Sequence, residues 1–244
     1  MKRFKKVKKM KEMIYETKMI LYNSYFDVND KISPKSILNI FQDVASYHAG
    51  EIGVGYEDML AKNLYWVLSR IKYDIIRMPK IDEEVIVQTW PHEKGRIDFD
   101  RDITISSLSG EPLIIGTTKW CVIDTQSRML QRSTNVNYNG IHINKMNYEE
   151  KFNKISIPEK EANKVFNHKV VFTDLDHNKH MNNTNYASLV CNAVNNKQFT
   201  HFEINYLNEC LYNDEIEVLK IEEDSKEIVI GSVNDKKAFV AMVY

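Results

Sequence analysis

Between residues 174 and 186 the sequence DLDHNKHMNNTNY gathers two aspartates, two histidines, four asparagines and a tyrosine. Three chemistries compete for that composition. As a metal site it offers His177 and His180, three apart, with Asp174 and Asp176 beside them. Dedicated zinc sites add ligands at recognisable spacing, however, and Cys121, Cys191 and Cys210 stand nowhere near, so neither metal nor cofactor is expected. As a plain turn, Asp and Asn are natural, because they cap helices and tolerate left-handed backbone; Asn182 and Asn183 need no other account. As a hydrolytic centre, an imidazole, an amide and a carboxylate would meet where the chain leaves a strand and enters a helix. Free N–H groups at a helix start hold developing negative charge, and those near His180 and Met181 are the expected donors.

The elements that must position this stretch can be read on either side of it. ISPKSILNIFQDVASYHAG predicts a helix: Ser33 is a good N-cap, Pro34 suits the first turn, and Ile37, Leu38, Phe41, Val44, Ala45 and His48 recur at helical spacing. Strands are predicted for LYWVLSRIKYDII, EEVIVQTW, IDFDRDITISS and EPLIIGTTKWCVID, several of them alternating apolar with polar residues as in a sheet with one covered face. Residues 133–165 lose both periodicities and read as a polar linker. After it the order returns: a strand HKVVFTDLD, a shorter helix from about 182, then strands THFEINYLNECL, DEIEVLKIEE, KEIVIGSV and KAFVAMVY.

The return can be tested residue by residue. A shift of 149 lays Asp176 on Asp27, Asn178 on Asn29 and His180 on Lys31; after the helix a shift of 133 lays INYLNEC on IKYDIIR and sets Glu209 over Ile76. One copy keeps a full polar set; the other replaces two members with residues unsuited to acid–base work. A helix across a long antiparallel sheet, repeated once, is the plan of a double hotdog, an α+β fold. The expected divisions are a basic tail at 1–13, an N-terminal hotdog at 14–132, the linker at 133–165 and a C-terminal hotdog at 166–244.

DLDHNKHMNNTNY resembles the D-x-N-x-H-x-N-N-x-x-Y signature of the acyl-ACP thioesterases of plants and bacteria. NIFQDVASYHA, WVLSRIKYDIIRMPKIDEEVIVQTW and DRDITISSLSGEPLIIGTTKWCVID are similar to that family's first helix, following strands and next hairpin. Asn208, Glu209 and Cys210 stand where it carries a Glu-Cys pair. The resemblance implies hydrolysis of fatty acyl-acyl carrier protein, ending fatty acid synthesis, with Asp176, Asn178, His180 and Glu209 as the catalytic set. Glu209 would activate water, Asn178 fix the water or the carbonyl, His180 polarise or protonate, and Asp176 hold the ring or nearby backbone. Cys210 is the rival nucleophile. On a strand it would face away from Glu209, so only one of the two can look at His180. The acyl chain is expected in the first half, against Ile37, Phe41, Val44, Tyr65, Trp66, Leu68 and Ile71.

Composition narrows the classes further. Net charge is −1, so no general field gathers nucleic acid, although the first thirteen residues carry about +6. That tail would raise the rate of encounter with an acidic carrier. No run of about 18 apolar residues would span a membrane. Three cysteines without close spacing argue for reduced thiols and a cytoplasmic setting. The partner implied is a carrier protein bearing the acyl chain, and a homodimer is allowed. Two other readings stand beside this one: a hotdog thioesterase acting on acyl-CoA, and a ligand-sensing transcription regulator, for which no DNA-reading helix pair is present.

Overall fold

The computed structural model describes residues 12–138, 140–150, 152–195 and 198–244, so nearly all of the basic tail lies outside the described residues. The first helix, α1 (Pro34–Glu51), starts where the cap predicts: the Ser33 hydroxyl accepts from the Ser36 N–H at 3.1 Å. Its buried face carries Ile37, Leu38, Ile40, Phe41, Val44 and Ala45. A short helix, α2 (Tyr56–Leu60), follows. The first unit supplies five strands: β1 (Tyr15–Leu21), β2 (Leu64–Ile75), β3 (Glu83–Pro91), β4 (Asp98–Ser107) and β5 (Pro112–Asp124). The second repeats them as β6 (Asn163–Lys169), β7 (His201–Tyr206), β8 (Glu215–Glu222), β9 (Glu227–Val233) and β10 (Lys236–Val243), with helix α3 (Asn185–Ala193).

All ten strands join one antiparallel sheet in the order β1-β3-β4-β5-β2-β7-β10-β9-β8-β6. The order reads the same from both ends once each strand is matched to its repeat, so the two units are related by a pseudo-twofold axis. That axis passes through the β2–β7 pairing, where Ile71 lies opposite Ile204, the residue that the sequence overlay makes its equivalent. Both helices pack on one face, over a core that runs from Ile37 and Phe41 through Tyr73 and Phe202 to Tyr186 and Phe239. Gly116 on β5 marks the close approach of α1: a Cβ there would lie 2.2 Å from the Phe41 ring. This is the α+β double hotdog.

Several boundaries differ from expectation. Strand β1 was not foreseen, and the strand expected at 168–176 ends at Lys169, giving way to a 3-10 turn at Phe172–Asp174. Helix α3 begins at Asn185 and not near 182, because the Asn182 side chain turns the chain first, accepting from the Thr184 N–H and hydroxyl at 3.0 Å. Strand β7 stops at Tyr206, short of Glu209.

The linker starts on the helix side, where Val136 packs with Val54 and Met59, and from Lys145 onward it is a strap laid on the opposite sheet face, with β6 taking up its last residues. The Asn147 amide donates to the carbonyls of Ile103 and Gly116, Tyr148 donates to Asp74 at 2.7 Å, and Ile155 joins Ile221, Ile228, Ile230 and Val240 in a separate apolar cluster. A polar sequence is what this face demands, since the strap has no ladder of its own and must satisfy its backbone neighbours through side chains.

Candidate active site

The turn between the 3-10 segment and α3 is built by Asp176. One carboxylate oxygen accepts the N–H of Asn178 at 2.8 Å and of His180 at 3.2 Å, and the Asp176 N–H donates to the His180 carbonyl at 2.8 Å. Lys179 takes the left-handed conformation that closes the loop (φ 65°). Asp176 therefore holds backbone and not the imidazole ring. The first unit repeats the construction: Asp27 accepts from Asn29 at 2.8 Å and from Lys31 at 3.1 Å, with Asp30 left-handed (φ 54°).

The N–H groups expected to hold an oxyanion are already committed. That of His180 goes to Asp176, and that of Met181 to the Cys210 carbonyl at 2.8 Å. The helix starts five residues beyond His180, too far along to present its own end there. The exposed Asn178 makes no side-chain hydrogen bond among the described residues, and its amide is the donor left for a substrate oxygen.

Glu209 and Cys210 lie on an extended segment past β7 that bridges to His180 through Leu211. Alternation still separates them. Glu209 Oε2 stands 3.3 Å from His180 Nε2, at a half-open position, whereas Cys210 is fully buried in the main core. Burial raises the Cys210 thiol above its ordinary range despite a hydrogen bond from the Tyr186 hydroxyl, which is the reverse of what activates a thiolate. Glu209 has a second partner that its sequence neighbourhood does not announce. Arg128, from the turn after β5, pairs with Glu209 and donates to the Tyr65 hydroxyl, its guanidinium 5.5 Å from that ring's centre. Burial, followed by the Glu209 charge, raises the Tyr65 phenol, so it stays protonated and accepts from Arg128 as a neutral hydroxyl.

Beside this group opens a cavity of about 250 Å³. Its walls are mostly first-unit residues, among them Ala45, Ala49, Met59, Trp66, Phe99 and Trp120, and the second unit adds Asp176, His177, Asn178 and Asn183. Tyr65 also lines it, which connects the cavity to Glu209 through Arg128. Arg101 lies in the wall, its guanidinium donating to Thr89 at 3.0 Å and held 2.9 Å from His48 Nδ1; burial lowers it to about 10. Of the residues expected around an acyl chain, Tyr65 and Trp66 line this cavity. Phe41, Leu68 and Ile71 line a small void next to it. Ile37 and Val44 do not line it; they face the main core, because the helical stripe that buries them points at the sheet. The two histidines of the motif part company. His177 meets the Tyr56 ring edge-on at 4.8 Å, and His180 meets Glu209.

The profile of the Acyl-ACP thioesterase N-terminal domain matches residues 12–140, and that of the Acyl-ACP thioesterase C-terminal domain matches residues 157–237. The oleoyl-acyl carrier protein thioesterase 2, chloroplastic, of Arabidopsis thaliana is 26% identical over 237 residues, covering 88% of this chain and 65% of that protein. The corresponding Coriandrum sativum protein is 25% identical, covering 92% and 68%. The chain thus spans about two thirds of the length of these plant relatives. Among solved structures, an acyl-ACP thioesterase from Bacteroides thetaiotaomicron superposes with a TM-score of 0.83 at 21% identity, covering 95% of this chain and 97% of that one. The 12:0-ACP thioesterase of Umbellularia californica gives 0.79 at 19%, covering 95% and 96%.

Proposed function

The chain belongs to the acyl-ACP thioesterase family, and from that premise we propose that it hydrolyses fatty acyl-acyl carrier protein to free fatty acid and carrier. The observation that carries the reading is the His180–Glu209 pair, 3.3 Å apart, two residues along the turn from Asn178, which lines the cavity, and tied through Arg128 to Tyr65 in the same wall. The acyl chain occupies the first-unit cavity and the thioester sits at its mouth. Water attacks the carbonyl carbon while Glu209 takes one of its protons. The Asn178 amide donates to the oxyanion. Collapse of the tetrahedral intermediate breaks the C–S bond, and the proton held by Glu209 passes to the thiolate, directly or through His180. Arg128 and Tyr65 fix the carboxylate so that its free oxygen meets the water. A thiol leaves easily, so the attack and the oxyanion are where the site must act.

The buried, hydrogen-bonded Cys210 supports water over a thiol as nucleophile. The three cysteines are unpaired, which fits a reducing compartment, and we place the protein in the cytoplasm.

The test is steady-state hydrolysis of matched acyl-ACP and acyl-CoA over a series of chain lengths, with released acids read by mass spectrometry. The expected result is a higher kcat/KM on the carrier-bound series. A preference for acyl-CoA would transfer the assignment to a coenzyme A thioesterase, and turnover of neither would overturn it.

A further inference from the structure

The pseudo-twofold axis that places one polar turn beside the hydrolytic cavity places the other beside a second cavity, also of about 250 Å³. Asn29, Lys31 and Lys35 line its polar side, and Ile75, Met78 and Phe199 are among its apolar walls. The turn is the same turn, with Asp27 clamping the N–H groups of Asn29 and Lys31 as Asp176 clamps those of Asn178 and His180. Only the chemistry differs. In the second unit the imidazole faces the Glu209 carboxylate at 3.3 Å. In the first unit a lysine, Lys31, stands at the equivalent position, but the carboxylate is replaced by Ile76, which is exposed. Among the described residues the Lys31 and Lys35 side chains have no hydrogen bond or ion pair, and one oxygen of the nearby Asp27 is taken by the turn.

We propose that this second cavity is a binding site for a free fatty carboxylate, whose head group supplies to Lys31 the anion that the first unit lacks, while its alkyl chain lies against Ile75, Met78 and Phe199. The site binds and does not hydrolyse. It has a cation and an amide but no carboxylate where Glu209 stands, its Asp27 being engaged by the turn as Asp176 is, and Cys191 in its wall is pushed up to about 12 by burial and by the Asp27 charge, far from a reactive thiolate. Charge also selects the ligand. Two lysines against one carboxylate leave the polar side net positive, so a monoanion with an apolar tail fits better than a neutral alcohol of the same length.

The test uses decanoate labelled with carbon-13 at the carboxyl, titrated into the intact protein by calorimetry and observed by NMR. The hydrolytic cavity accepts the same probe, so two sites per chain and two bound carboxyl signals are expected. Lys31→Met and Lys31→Gln remove one site or weaken it at least tenfold, Lys31→Arg keeps it, and 1-decanol fills only the other. A single site in the native protein, or two sites indifferent to both neutral substitutions, overturns the proposal. The readout is binding alone, so a protein that takes up two decanoates yet hydrolyses no acyl-ACP would sink the assigned activity and leave this inference standing.

Discussion

At Glu209 a change of one atom separates base from bystander. Glu209→Gln keeps the shape and the contact with Arg128 but cannot take a proton, so kcat should fall by about 10² to 10⁴ with the fold intact by circular dichroism. Cys210→Ala removes a small buried side chain and the partner of the Tyr186 hydroxyl, costing ~1 kcal/mol of stability and leaving turnover within several-fold. Mass spectrometry of the native protein during turnover should find no acylated species; an adduct on Cys210 that forms and decays at the turnover rate would sink the water mechanism. His180 and Glu209 stand out in the sequence because the repeat has Lys31 and Ile76 in their places, whereas Asp176 and Asn178 recur as Asp27 and Asn29 and are singled out by the motif alone. Arg128 was not legible, since it reaches Glu209 from 81 residues away, out of a turn whose composition reads as solvent-exposed. The N–H groups of His180 and Met181 misled for a local reason. A turn built on an aspartate uses its own N–H groups, and no spacing rule reports that.

The contact of α1 with the sheet is set by the absence of a side chain at Gly116. Gly116→Ala forces the Phe41 ring away, an overpacking that costs about 1–3 kcal/mol by urea unfolding. It also displaces the next turn of α1, where Gln42 and Ala45 line the hydrolytic cavity, so KM should change with acyl chain length while kcat on the shortest substrate holds. Equal kinetics at every chain length would show that α1 and the cavity are not coupled. Helix α1 was legible from its cap, its proline and its stripe, all local signals. Strand β1 escaped notice because YETKMIL is half polar and stands at the edge of the sheet, paired only with β3. The strap escaped for a different reason. Asn147 and Tyr148 order it by reaching to strand carbonyls and to Asp74, and such bonds leave no periodicity behind.

Across the whole molecule, stability should depend on pH through His92. Burial lowers its affinity for protons, but the Asp102 carboxylate, 3.0 Å away, outweighs that and leaves the folded value raised above 6.5. The pair therefore stabilises fully below the unfolded value and is lost as pH rises through the folded one. The urea midpoint should drop as pH passes upward from about 6.5, and His92→Gln should flatten that drop; an unchanged slope would place the dependence elsewhere. The two-unit plan was legible from the 149-residue shift, whereas the seam was not, because no overlay of a chain on itself says which strands meet. That seam has a consequence for partner choice. On the outer face of β2–β7, Lys72 lies opposite Glu203 and Asp74 opposite His201. Had the first unit met a copy of itself about the same axis, Lys72 would face Arg70, like against like. Within one polypeptide the two edges are complementary instead, so each half carries in its strand an address for the other, and the first half a refusal of its own kind.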